Sequence, residues 1–264
     1  MEHTEVISES PPRTRVNEPG TSRLSRVRES QWTLLALLLT APFMVVLDFF
    51  IVNVAIPSLS VNLHAGPTVI EWIVAGYGLT TAIGLVAAGR LGDRVGRRSV
   101  FWAGMLLFTL ASGACGVAPG GGTLVAARLV QGLGAALVTP QVLSIVSVAF
   151  EGKERARAFG IYGITLGLAA VLGQLIGGLL IQADILGLGW RACFLINLPI
   201  GLVALVLVPR LVPESRVEGA GRLDLVGMGI ITLGLAAIVL PLIEGRAQGW
   251  PAWTWACLAV SPVI

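Results

Sequence analysis

Seven times between Trp32 and Ile243 the sequence runs apolar for a stretch close to the ~20 residues that cross a bilayer as helix, and then breaks into a short polar loop. Runs of that length read as membrane-spanning helices. The expected fold class is therefore an all-α integral membrane bundle. Charged residues make up 12% of the 264, against about 25% in soluble domains. The 33 glycines then signal close helix contacts rather than disorder. Cys115, Cys193 and Cys257 each sit inside an apolar run at no metal-ligand spacing, so neither a disulfide framework nor a metal site is expected.

Taken in order, residues 1–31 are polar, with five arginines, and are expected to form a disordered cytoplasmic tail. The apolar run that follows is too long for a cleavable secretory signal, whose apolar region is about 7 to 15 residues. Span one covers Trp32 to Leu59, span two Ile70 to Ala88, span three Ser99 to Val117, span four Thr123 to Ala149, span five Ala158 to Ile181 and span six Arg191 to Val208. Residues 32–208 thus read as a six-helix unit. A cytoplasmic linker over 209–224 leads to a last segment, 225–264, with span seven at Leu225 to Ile243 and an eighth run from Ala252. From Ala252 to Ile264 a helix rises only about 20 Å, short of the ~30 Å core, so the expected eighth helix is partial. Of the 18 lysines and arginines, 15 fall in the tail and in alternate loops (four in 89–98, three in 151–157, three in the linker), which places those segments and the amino terminus on the cytoplasmic side. With the charge so placed, the net +3 is a matter of topology, and no nucleic-acid partner is expected.

The loop between spans two and three reads GRLGDRVGRR, Gly89 to Arg98. It resembles the corresponding loop of the major facilitator superfamily, G-x-L-x-D-R-x-G-R-R/K, with Gly89, Leu91, Asp93, Arg94, Gly96, Arg97 and Arg98 at the fixed positions. LDFFIVNVAIPSL in span one, RLVQGLGAA in span four and WRACFLINLPIG in span six look like signatures of the fourteen-helix drug:proton antiporter branch of that family. Span seven resembles the extra helix that this branch inserts between its two halves. The resemblance implies a six-helix amino-terminal half followed by a seventh and a partial eighth helix. It also implies that the basic loop gates the cytoplasmic side, clamping two halves together, and that the partner helix for that clamp lies in a second half missing from this sequence.

Asp48 is the sharpest candidate for chemistry, because a carboxylate inside a span costs about 2.5 to 3.5 kcal/mol to insert and is by default a functional hypothesis, the alternative being a packing group satisfied by a neighbour. Removal from water favours the protonated form of a carboxylate, while a nearby arginine favours the charged form. Counting helical rise puts Arg128 roughly 8 Å and Asp48 about 9 Å below the outer surface. The resemblance supplies lateral proximity, since the first and fourth helices line one cavity in that family. Gln131, one turn from Arg128, joins them as a proton or substrate candidate. Gly163, Gly167, Gly173, Gly177 and Gly178 in span five give small-x-x-x-small pairs for helix packing. The segment LGQLIGG resembles the family's antiporter signature, but Gln174 stands where the family has proline, so no proline-dependent kink is expected and Gln174 becomes a candidate to offer an amide to the cavity.

His3 and His64 are the only histidines, and no phosphate-cradling loop is present, so neither an enzyme nor a cofactor is expected. The expected function is proton-coupled antiport of amphipathic or cationic small molecules such as drugs, across the cytoplasmic membrane, with lipid, substrate and protons as partners. A second reading stays open at this point: a non-transporting remnant or membrane interaction protein that lacks the second half.

Overall fold

The computed structural model describes residues 21–217 and 225–261, and every regular element within them is helical. The helices are α1 (Thr21–Asn62), α2 (Pro67–Val95), α3 (Arg97–Gly116), α4 (Gly121–Ala149), α5 (Gly152–Ala183), α6 (Ala192–Leu195), α7 (Asn197–Leu211), α8 (Leu225–Gln248) and α9 (Ala252–Val260). Among the described residues, six stretches are long and apolar enough to cross a membrane: 31–62, 67–85, 97–116, 121–149, 152–183 and 189–211. These coincide with spans one to six. Within span seven, Gly229–Gly245 is a shorter apolar stretch of α8.

Several boundaries differ from expectation. Residues 1–20 of the expected tail lie outside the described residues, as do 218–224 of the linker and 262–264 of the eighth run. From Thr21 onward the chain is already helical. Between Thr21 and Gln31 there is no proline or glycine to stop a helix begun in hydrocarbon. The basic loop is also no open hairpin. Gly89 to Val95 continue α2, and Gly96 alone leaves the helix, at φ 125°, before α3 starts at Arg97. Only glycine adopts that backbone without strain, and a Cβ there would also stand 2.6 Å from the Glu214 carboxylate.

Span six is broken at Ile196, between α6 and α7. Three residues on, Pro199 has no N–H for the Leu195 carbonyl, and its ring crowds that carbonyl. The neighbouring Phe194 carbonyl instead accepts from Ser112 Oγ of α3 at 2.9 Å.

Close backbone approach sets the packing. A Cβ on Gly173 would lie 2.8 Å from the Leu47 carbonyl oxygen, so α5 rides directly on α1. The core divides into two apolar clusters. One gathers Leu38, Met44, Tyr77, Phe101, Phe108, Ala135 and Phe150, and the other Leu47, Ile51, Leu59, Cys115, Leu124, Trp190 and Phe194. On α3 Ser112, and on α4 Arg128 and Gln131, fall in the sequence gap between the two sets, while on α1 Asp48 follows directly on Leu47 of the second. That level is where the functional candidates sit.

Candidate functional site: a buried polar cluster around Asp48

Asp48, Ser112, Arg128, Gln131 and Asn197 come from α1, α3, α4 and the start of α7, and all are fully buried. Arg128 Nη1 donates to Asp48 Oδ2 in a direct ion pair, and at 2.8 Å to Gln131 Oε1. Its Nε donates to the Ile73 carbonyl of α2 at 3.0 Å. The guanidinium carbon lies 4.1 Å from the centre of the Tyr77 ring, a cation–π contact that a buried cation strengthens. Asp48 Oδ1 accepts from Gln131 Nε2 and from Asn197 Nδ2, both at 2.8 Å. Ser112 Oγ accepts from Asn197 Nδ2 at 2.9 Å and from Gln131 Nε2 at 3.1 Å.

The carboxylate is thus held by three nitrogen donors, an arrangement that stabilises its charge away from water. Two polar atoms of the cluster, Arg128 Nη2 and Asn197 Oδ1, are buried with no hydrogen-bond partner among the described residues. A cluster with such spare capacity can rearrange its bonds without first breaking all of them.

The pairing of Asp48 with Arg128 and Gln131 was expected from sequence. Gln174 was grouped with them, but it stands on the exposed face of α5 outside this cluster. The reason is helical rotation: its neighbour Gly173 takes the face against α1, which turns Gln174 about 100° away. Ser112 and Asn197 were missed. Asn197 is visible in hindsight as an amide inside an apolar span, within WRACFLINLPIG, whereas a serine in a membrane helix carries no comparable signal.

The glycines of α5 divide. Gly173 and Gly177 meet the α1 backbone at Leu47 and Ile51, and Gly178 comes only within ordinary contact of Val54. A Cβ on Gly163 or Gly167 would meet nothing within 4 Å, so this second pair packs against no described residue.

At the corner between α2 and α3, Arg97 donates to Asp93 Oδ1 through Nη2 at 2.8 Å and Nε at 3.1 Å. Glu214, just after α7, accepts from the Arg98 and Ser99 backbone N–H groups at 3.0 and 3.2 Å, and its Oε2 lies 3.5 Å from Arg98 Nε. A carboxylate at a helix N-terminus satisfies unpaired donors and complements the helix dipole. The strand of linker beside it is tied on by Arg97 N–H to the Ser215 carbonyl and Val217 N–H to the Asp93 carbonyl, both 2.9 Å. Sequence reasoning looked for the partner of this corner in another half and missed Glu214. Gly89 packs toward Pro140 of α4, and Arg94 lies in the last turn of α2.

Comparison with known proteins adds three findings. The model of the Major Facilitator Superfamily matches residues 38–263. The "Probable actinorhodin transporter" of Streptomyces coelicolor is 43% identical over 89% of this chain and 40% of its own length. "Multidrug resistance protein Stp" of Mycobacterium tuberculosis is 42% identical over 79% of this chain and 38% of its own length. The chain spans about two fifths of the length of these relatives. Among solved structures, the proton:xylose symporter XylE bound to 6-bromo-6-deoxy-D-glucose superposes with a TM-score of 0.62 at 17% identity, over 84% of this chain and 55% of that one. That likeness speaks for the fold alone.

Proposed function

Because this chain belongs to the Major Facilitator Superfamily, a family of membrane transporters and not of enzymes, we propose that it forms the amino-terminal part of an antiporter. In this reading the transporter exports amphipathic or cationic small molecules in exchange for protons. The observation that carries it is the fully buried Asp48, held between Arg128, Gln131 and Asn197. A buried carboxylate paired with one arginine has two stable arrangements: charged and paired, or neutral and released. Proton binding from the outer side weakens the pair with Arg128, and rocking of this half against a second half then turns the site inward. Export of drug-like molecules is supported by what the two relatives are called, and by their identity over most of this chain. The partner half is a helical bundle that closes the other side of the cavity, and the cytoplasmic corner at 89–98 gates the inner side.

The amino terminus faces the cytoplasm in this reading, as the distribution of arginines and lysines demands. The test is Asp48→Asn in the full gene product, assayed as efflux driven by an imposed proton gradient. Gradient-driven efflux should disappear while substrate binding persists. Efflux at the unaltered rate would refute the proton-carrier role.

A further inference from the structure

Of the two amides on Asp48 Oδ1, only one has a free end. Gln131 Oε1 accepts from Arg128 Nη1 at 2.8 Å and faces the Cys115 thiol at 3.6 Å, so inverting this amide breaks its bond to the arginine. Asn197 Oδ1 is buried and bonds to nothing among the described residues, so inverting that amide costs no bond on its oxygen side. The residue also sits at the break in span six, where the helix is already interrupted between α6 and α7.

We propose that Asn197 is the amide that follows Asp48 through its protonation cycle, donating from Nδ2 to the carboxylate and, once inverted, accepting from the carboxylic acid with Oδ1. This rests on the reading of Asp48 as proton carrier. A carboxylate only accepts hydrogen bonds, whereas a carboxylic acid carries one O–H donor. In the charged state Nδ2 must therefore face Oδ1 of Asp48, as it does at 2.8 Å. A proton drawn from external water forms an O–H bond on that oxygen. A donor then faces a donor, and rotation of the amide by about 180° restores the match. Ser112 Oγ follows by turning its one hydrogen: it now donates to the Phe194 carbonyl and accepts from Asn197 and Gln131, and after the inversion it donates to Asn197 Oδ1 instead. The inversion leaves Nδ2 orphaned in place of Oδ1 and trades the Ser112 bond to the Phe194 carbonyl for one to the amide oxygen. Asn197 is a positioning residue: it acts on the proton through Asp48.

Infrared difference spectra between neutral and acidic pH, on the purified protein in liposomes, test this without any transport assay. Acidification should produce a carboxylic-acid C=O band that Asp48→Asn removes. In Asn197→Ala the band should persist but move to higher frequency, because the acid has lost its acceptor. Asn197→Thr, whose hydroxyl both donates and accepts, should bring it back toward the original position. In the unaltered protein labelled with 13C-asparagine, an amide C=O band lost in Asn197→Thr should shift together with the acid band. An acid band at one frequency in the unaltered protein and in Asn197→Ala, or a silent asparagine amide, would overturn the proposal while leaving Asp48 as the carrier. The absence of any band that Asp48→Asn removes would overturn the carrier reading and this one with it.

Discussion

Asp48 with Arg128 and Asp93 with Arg97 are one chemical pair in two settings. The first has both side chains fully buried on different helices, with amides filling the remaining positions. The second joins residues four apart across the Gly96 corner, and 40% of the Asp93 side chain is exposed. Water screens the second pair and leaves it worth little; around the first there is no water to take over if a partner is lost. The same two residue types therefore serve as an all-or-none element in one place and as a trim on a helix end in the other.

The largest effect should follow removal of one buried partner. Arg128→Leu leaves the Asp48 charge uncompensated and should lower stability by about 3 to 5 kcal/mol, read as a drop in thermal unfolding temperature in detergent. Pairing it with Asp48→Leu should recover most of that loss, since an apolar replacement of a whole buried pair is often neutral. A double variant as unstable as the single one would mean that the arginine acts through Ile73 and Tyr77 rather than through the carboxylate. A middle effect is expected at the corner: Glu214→Ala strips the cap from α3 and should cost about 1 kcal/mol, together with faster amide hydrogen exchange at Arg98 and Ser99. Smallest of all, Arg97→Ala should change unfolding by about 0.2 to 1 kcal/mol, and less at high salt. A loss at Arg97 as large as that at Arg128 would erase the contrast between the two settings.

Much of this arrangement was legible in the sequence because hydrocarbon is a strict solvent. Run lengths gave the six spans, and counting rise along them put Asp48 and Arg128 at one depth. What sequence does not carry is rotation and lateral neighbourhood. Gln174 has matching chemistry but stands on a face of α5 turned away from the Asp48 cluster. The pairs Gly163/Gly167 and Gly173/Gly177 read alike, yet α1 reaches only the second. Glu214 lay hidden because it is far along the chain from the α3 terminus it caps, and nothing in its local sequence marks it as a cap. Asn197 lies inside a signature stretch, and only the three-dimensional site shows that its oxygen has no hydrogen-bond partner among the described residues.

The position of Asp48 between two apolar clusters has an electrical meaning. In this conformation the carboxylate is fully buried, with Met44 and Tyr77 on one side and Leu47, Ile51 and Cys115 on the other. In the proposed carrier reading, a proton held here is walled off by the apolar side chains of both clusters, so this conformation would act as an insulator. On that proposal, many copies resting in this form would leave a proton gradient undischarged, and charge would cross only when the helices move.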